Sequence, residues 1–391
     1  MDPVRNPFAP GAGNQPPELA GRDNILSEID IALQRILQGR HSKSKILLGL
    51  RGVGKTVLLR KIEEKAKERG FLSSFIEAPE DKKLVELLYP KIHQILRKLS
   101  VIENAKARTH EAMQSLRSFA SVFKISTGDI SISVDPEIGS ADSGILEFDL
   151  SDLFVRVGEA ARAANCGWGL FIDEVQYLSE KELSALIVAI HHTNQKNLPI
   201  IFFGAGLPQV AALSGDAKSY AERLFDYPPI GPLDNKSAIA AIRQPIIAEE
   251  EIIADEALAK ILDKTKGYPF FLQEWGFQVW NIAIQSPITA QNVEKATPIV
   301  LQRLDDSFFR VRFDRLTPKE REYVCAMAKL GTGPYRSSDV ADIMNENVQK
   351  LGPCRAQIIS KGMIYSPSHG DIAFTVPMFE DYLIRTQMIN L

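Results

Sequence analysis

Gly49-Leu50-Arg51-Gly52-Val53-Gly54-Lys55-Thr56 decides the reading of this chain, because the pattern changes character on either side of it. Lys45 to Leu50 is an apolar run that reads as a buried strand. From about Lys55 to Arg69 the apolar positions recur at helical spacing, and Gly70 stops the helix. Phe71 to Ile76 reads as a second strand. Strand, glycine turn, helix and strand in that order argue for a parallel α/β sheet. The octapeptide fits G-x-x-x-x-G-K-[ST] in full. Its glycines let consecutive backbone N–H groups turn inward as an anion nest, and the helix N-terminus adds positive potential. Lys55 is then placed to reach the β- and γ-phosphates of ATP, and Thr56 to offer its hydroxyl oxygen to Mg²⁺. Gly49, Arg51, Gly52, Val53, Gly54 and Val57 complete the expected phosphate cradle.

Phosphoryl transfer also needs a carboxylate for the metal and a group that activates water. Gly169-Leu170-Phe171-Ile172-Asp173-Glu174 supplies both where an apolar strand ends. Asp173 is the expected Mg²⁺ holder and Glu174 the expected base that polarises the attacking water. The spacing of 117 residues between Thr56 and Asp173 implies an insertion between core strands, at about 80–148. Within it, helices are expected around Lys83–Leu99, with Pro90 breaking the first turn or two, and around Thr109–Phe123. Two alternating runs about Thr127-Gly128-Asp129 predict a β-hairpin. A further helix is expected over Asp149–Ala164.

With both motifs on the page, the sequence resembles the AAA+ ATPase family. It lies nearest the origin-recognition-like branch and the related STAND group. Pro16-Pro17-Glu18-Leu19-Ala20-Gly21-Arg22-Asp23 resembles the h-x-G-R-[DE] element that lines the adenine pocket in that family, with Leu19 and Arg22 at the pocket; Arg22 can equally be structural. The resemblance implies a P-loop NTPase sheet over 18–234, after an extended Pro/Gly-rich segment 1–17. It also implies a helical lid over 235–310 and a winged helix-turn-helix over 315–391. The sequence departs from the family in two places. Ile200-Ile201-Phe202-Phe203-Gly204-Ala205-Gly206 ends in small residues where the family often carries a polar sensor, and the lid lacks the sensor arginine. There Gly267-Tyr268-Pro269 resembles the STAND G-x-P element, whose proline, here Pro269, packs near adenine. These departures imply slow turnover and a switch, not a motor. Arg223 stands where the family places an arginine finger, which would act in a head-to-tail homo-oligomer. A local pair with Glu222 or Asp226 is the other reading of that arginine.

Composition excludes several classes. The chain has 391 residues, 45% hydrophobic and 24% charged, which is enough apolar material for real cores. Forty-six Lys and Arg against 49 Asp and Glu give a net charge of −3, so the whole chain is not a polyanion-coating protein. Cys166, Cys325 and Cys354 are widely spaced, which excludes a disulfide framework or a cysteine zinc site and suits a reducing compartment. No run is long enough to span a membrane, and the first residues lack a secretory apolar stretch, so the expected location is cytoplasmic. Helix Leu351–Lys361, with Arg355, Gln357, Ser360 and Lys361, would be the DNA-reading helix of the winged unit. Yet residues 315–391 hold nine Lys and Arg against eight Asp and Glu, and a protein partner is an equal expectation. His191 and His192 are expected to be solvated, and Phe270, Phe271, Trp275 and Phe277 to be lid core.

Overall fold

Five parallel strands position the site: β1 (Ser44–Leu48), β2 (Phe71–Glu77), β3 (Gly167–Asp173), β4 (Ile200–Gly206) and β5 (Phe225–Asp226). Their order in the sheet is β2-β3-β4-β1-β5. The computed structural model describes residues 1–11, 19–79, 81–125, 139–386 and 388. Strands β3 and β4 lie inside the sheet and are buried along their whole length, which is why they read as unbroken apolar runs. The register pairs Leu48 with Gly206 and Gly204 with Ile172, so the carboxyl ends of β1, β4 and β3 finish along one edge. In open parallel sheets that edge is where ligands bind.

Two apolar cores cover the faces of this sheet. One holds Leu33, Leu47, Leu58, Ile62, Phe171 and Phe203 under helices Asp23–Leu37 and Lys55–Glu68. The other packs helices Leu84–Leu99, Lys106–Val122, Leu146–Ala163 and Glu180–Gln195 on the opposite face. The expected insertion is thus largely a helical layer of the core. The hairpin expected about Thr127-Gly128-Asp129 lies outside the described residues.

Local expectations needed three corrections. Asp23 is a residue type that suits an N-cap before the Ile25, Ile29, Leu33 and Ile36 stripe, but it does not cap that helix; Arg22 stands at the position without a side-chain cap, and Asp23 is the first-turn acid that the helix dipole favours. Helix Leu84–Leu99 runs through Pro90 unbroken. Leu88, Ile92, Ile95 and Leu96 are all buried on its inner face, each worth about 1.5–3 kcal/mol, and together they outweigh the roughly 3 kcal/mol cost of an internal proline. Helix Leu146–Ala163 starts a turn before Asp149, because that buried carboxylate accepts the Ser143 and Gly144 backbone N–H groups just upstream.

Helices Asn235–Ala248, Asp255–Thr265, Pro269–Ile282 and Ala290–Leu304 form a helical region after the sheet. The last of these does not end there. It continues through a π-helical turn, Asp305–Phe309, into helix Arg310–Asp314. Helices Pro318–Lys329, Ser337–Ile343 and Val348–Ser360 follow, with the short strands β6 (Tyr335–Arg336), β7 (Ile364–Tyr365) and β8 (Asp371–Phe374) in an antiparallel sheet ordered β6-β8-β7. One continuous apolar core runs from Ile242 and Trp275 through Phe309 to Tyr323 and Phe379, so the helical region and the C-terminal unit are packed as one mass. The N-terminal segment joins it. Its described part contains a 3₁₀ turn at Pro3–Arg5, and Phe8 is buried in the same core.

Candidate functional site

The β1 carboxyl end runs into the glycine turn. Gly52 and Gly54 have φ of +82° and +88°, a region closed to most side chains, and this lets the chain wrap before helix Lys55–Glu68 begins. Thr56 Oγ1 donates to Asp173 Oδ2 at 2.6 Å, across the 117 residues that separate them in sequence. The Glu174 backbone N–H donates to Asp173 Oδ1 at 2.9 Å. Hydroxyl and carboxylate oxygens side by side are the hard donor set that Mg²⁺ takes, and they fit such an ion. Asp173 is nearly fully buried. Burial pushes its carboxyl up, Thr56 pulls it back and Glu174 adds to the rise.

Lys55 is also buried, with Nζ donating to the carbonyls of Gly49 and Leu50 at 2.9 Å each. Burial pushes the ammonium below its ordinary value, Glu174 and Asp173 oppose this, and Arg51 adds to it. A buried cation of this kind is relieved by an anion. The turn borders a cavity of about 480 Å³ lined by Leu19, Arg22, Lys55, Glu174, Phe270 and Arg312 among others. Arg51, Gly52, Val53, Gly54, Thr56, Val57 and Pro269 line it too. One cavity therefore gathers the glycine turn, the N-terminal element, the acid after β3 and the first turn of helix Pro269–Ile282.

Residues 18–202 match the family described as AAA ATPase domain. That match supports ATPase activity in general. Residues 306–383 match a second family, described as a domain of unknown function (DUF8462). No curated protein matches the chain. Among solved structures, the chain is similar in fold to the Walker-type ATPase PABY2304 of Pyrococcus abyssi. They share 16% identity, with 95% of this chain and 99% of that chain covered and a TM-score of 0.56. The ORC1 protein of Aeropyrum pernix in complex with DNA is 13% identical, with 99% and 97% covered and a TM-score of 0.49. The RuvB Holliday junction branch migration motor of Thermotoga maritima is 15% identical, with 95% and 98% covered and a TM-score of 0.47.

Arg22 both lines the cavity and is tied down, with Nη2 donating to the Gly231 carbonyl at 2.6 Å. Gly49 lies beneath the turn, its N–H donating to the Gly206 carbonyl at 3.1 Å. Arg223 is not brought to the cavity of its own chain; it is exposed on the short helix Ala221–Leu224, near His191. His191 is half-buried against the Tyr220 ring, and His192 is exposed with Nδ1 2.5 Å from Ser151 Oγ. Phe271 and Trp275 are core, whereas Phe270 turns to the cavity and stacks on Phe308.

Three further residues shape the site, and of these Glu274 and Arg312 carry no sequence signal. Gln176 links two elements: its Nε2 donates to Glu174 Oε2 and its Oε1 accepts the Leu207 N–H at 3.1 Å, just past β4. A polar side chain from the loop after β3 thus stands beside the small residues that end β4. Glu274 lines the cavity with an unpartnered Oε2, and burial pushes its carboxyl up. Arg312 reaches the cavity from beyond the helical region.

Proposed function

We propose that this protein is an Mg²⁺-dependent ATPase that turns over slowly and works as a nucleotide switch. The observation that carries the reading is the Thr56–Asp173 hydrogen bond at 2.6 Å, whose chain neighbours Lys55 and Glu174 line one cavity together with Thr56. In this reading the turn amides and Lys55 hold the β- and γ-phosphates, Thr56 and Asp173 hold Mg²⁺, and Leu19, Arg22 and Pro269 border the adenine. Bound Mg²⁺ would supply charge neutralisation to the phosphates. Glu174 accepts a proton from water as the water oxygen bonds to the γ-phosphorus. The bond from that phosphorus to the bridging oxygen breaks, leaving ADP and inorganic phosphate. Slow turnover follows from a β4 end without a polar side chain of its own, and from Glu174 being engaged by Gln176.

The reading of residues 315–391 as a winged helix-turn-helix is supported by three helices followed by the β7–β8 hairpin, after which comes a last helix, Phe379–Arg385. The reading supported for this unit is docking on the chain's own core, because the Arg51 N–H donates to the Thr375 carbonyl at 3.1 Å. Support for DNA contact is thinner. Arg355 donates to Ser337 Oγ at 3.0 Å and Lys361 to Glu320 Oε2 at 2.6 Å, so both cations named for a groove are engaged within the unit. Phosphate release from ATP at steady state should be slow with Mg²⁺ and absent with EDTA. Duplex DNA titrated with ATP, ADP or no nucleotide should show no nucleotide-dependent binding. Tight ATP binding without any release would make the chain a scaffold, and ATP-dependent duplex affinity would restore the DNA-directed reading.

The finger reading of Arg223 is a statement about oligomers. Arg223→Ala should keep ATP binding and lose concentration-dependent hydrolysis. Mixing it with Lys55→Ala should restore part of the rate, since one subunit brings the arginine and the other an intact cavity. Mixed assemblies that stay inactive would make Arg223 a structural residue.

A further inference from the structure

Arg51 sits on the glycine turn and is held from three sides. Its N–H donates to the Thr375 carbonyl, and its Nη2 donates to the Tyr177 hydroxyl at 2.8 Å. Gly362 lies directly over it: a Cβ there would come 2.7 Å from Arg51 Nη2 and 3.2 Å from the Tyr177 hydroxyl oxygen. Thr375 and Gly362 belong to one stiff patch of the C-terminal unit, because buried Thr375 Oγ1 donates to the Gly362 carbonyl at 2.6 Å. The unit is therefore seated on the phosphate turn itself, through backbone atoms.

The helix that leads into this unit, Arg310–Asp314, falls with it in the matched stretch 306–383 and sends a cation into the cavity. The π-helical turn Asp305–Phe309 adds a residue to the helical path, a device often found at functional sites. It sets Phe308 on Phe270, with ring centroids 4.7 Å apart, and the Phe270 N–H donates to the Gly52 carbonyl at 3.1 Å. The Arg312 guanidinium lies 4.0 Å over the Phe308 ring and lines the cavity with Lys55 and Glu174. Among the described residues, the side-chain partners of these two arginines are neutral: Arg312 Nη1 donates to the Phe308 carbonyl and Arg51 Nη2 to the Tyr177 hydroxyl, and neither makes an ion pair. Burial pulls Arg312 down to about 10, Arg51 and Arg315 add to this, and Tyr177 and Glu174 only partly oppose it. Two cations, one from the core and one from the C-terminal unit, thus face a common space without an anion of their own.

We propose that Arg312 binds the terminal phosphate of ATP in cis, and that a triphosphate between Arg312 and Arg51 holds the C-terminal unit, residues 306–383, on the phosphate turn. The proposal rests on the nucleotide reading above and adds what that reading lacks, a link from nucleotide charge to the position of the C-terminal unit. Without the phosphate the two guanidiniums repel across the seam; with it each faces a negative charge. The diphosphate carries less charge and is shorter, so it holds the seam less well. Because the coupling is reciprocal, whatever tightens the seam also tightens triphosphate binding.

The test compares Kd for Mg·ATP and Mg·ADP in the full chain, its Arg312→Gln variant and its Arg312→Lys variant. It adds backbone hydrogen exchange over the glycine turn and residues 362–376. The parent should prefer ATP. Arg312→Gln should lose about tenfold in ATP affinity with ADP affinity unchanged, and Arg312→Lys should retain most of the preference. Exchange at Arg51 and across the seam in the parent should be slower with ATP than with ADP. Equal losses for both nucleotides in Arg312→Gln, or parent exchange indifferent to the nucleotide, would overturn the proposal while leaving the nucleotide site intact. A parent that binds neither nucleotide would overturn both.

Discussion

Lys55→Ala abolishes ATP binding at concentrations that saturate the parent. The ammonium is the one side-chain cation rooted in the first helical turn after Gly54, and it is already desolvated. Charge-assisted bonds to phosphate are worth about 3 kcal/mol, on the order of a hundredfold in Kd, before the turn's own rearrangement is added. Arg22, Arg51 and Arg312 line the same cavity, so Lys55 is not its sole charge. Arg22 is tied to the Gly231 carbonyl, and neither Arg51 nor Arg312 belongs to the helix that opens at Lys55, so Lys55 alone meets the phosphates from the first helical turn. Fold is unaffected, because the substitution removes a buried cation whose burial already works against its charge. Titration calorimetry with ATP, alongside a melting curve, checks both halves. ATP affinity unchanged in a folded variant would move the phosphate site elsewhere.

Glu174→Gln separates binding from chemistry. Glu174 follows β3 at φ +56°, and its Oε2 accepts from Gln176 Nε2. An amide at this position still offers an oxygen to Gln176 and keeps the backbone bond to Asp173 Oδ1, so the surroundings are preserved. What it cannot do is accept a proton from water. ATP therefore stays bound, and turnover falls by roughly 10²-fold or more, the usual contribution of a general base. Single-turnover phosphate release, with ATP affinity measured on the same sample, reads the two effects separately. A variant as fast as the parent would place the base on another residue.

The parts legible in the sequence are those whose physics is local. An anion nest needs glycines, a lysine and a hydroxyl within eight consecutive positions, so Gly49–Thr56 announces itself. A buried parallel strand must be apolar throughout, so Gly167–Asp173 and Ile200–Gly206 could be drawn with nearly correct ends. Pro90 misled because a local rule against proline was outweighed by apolar burial that only the packed helical layer supplies. Gln176 follows the acid pair as a polar residue whose sequence reading is open, either a contact to a nucleotide-dependent partner or a solvated side chain. That it bridges Glu174 and Leu207 depends on β3 and β4 being neighbours in the sheet.

By itself the sequence determined a parallel α/β core with the glycine turn and the Asp173–Glu174 pair, because each of these is a short pattern that dictates its own backbone. Only the tertiary structure decided that the C-terminal unit seats on Arg51 and that Arg312 enters the cavity. Arg312 lies 257 positions beyond Lys55 and has no motif around it. Its place is set by a π-helical turn that continues one helix into the next unit, and by an apolar core shared across that junction. Such a position results from the packing of many side chains at once, and no stretch of neighbouring residues encodes it.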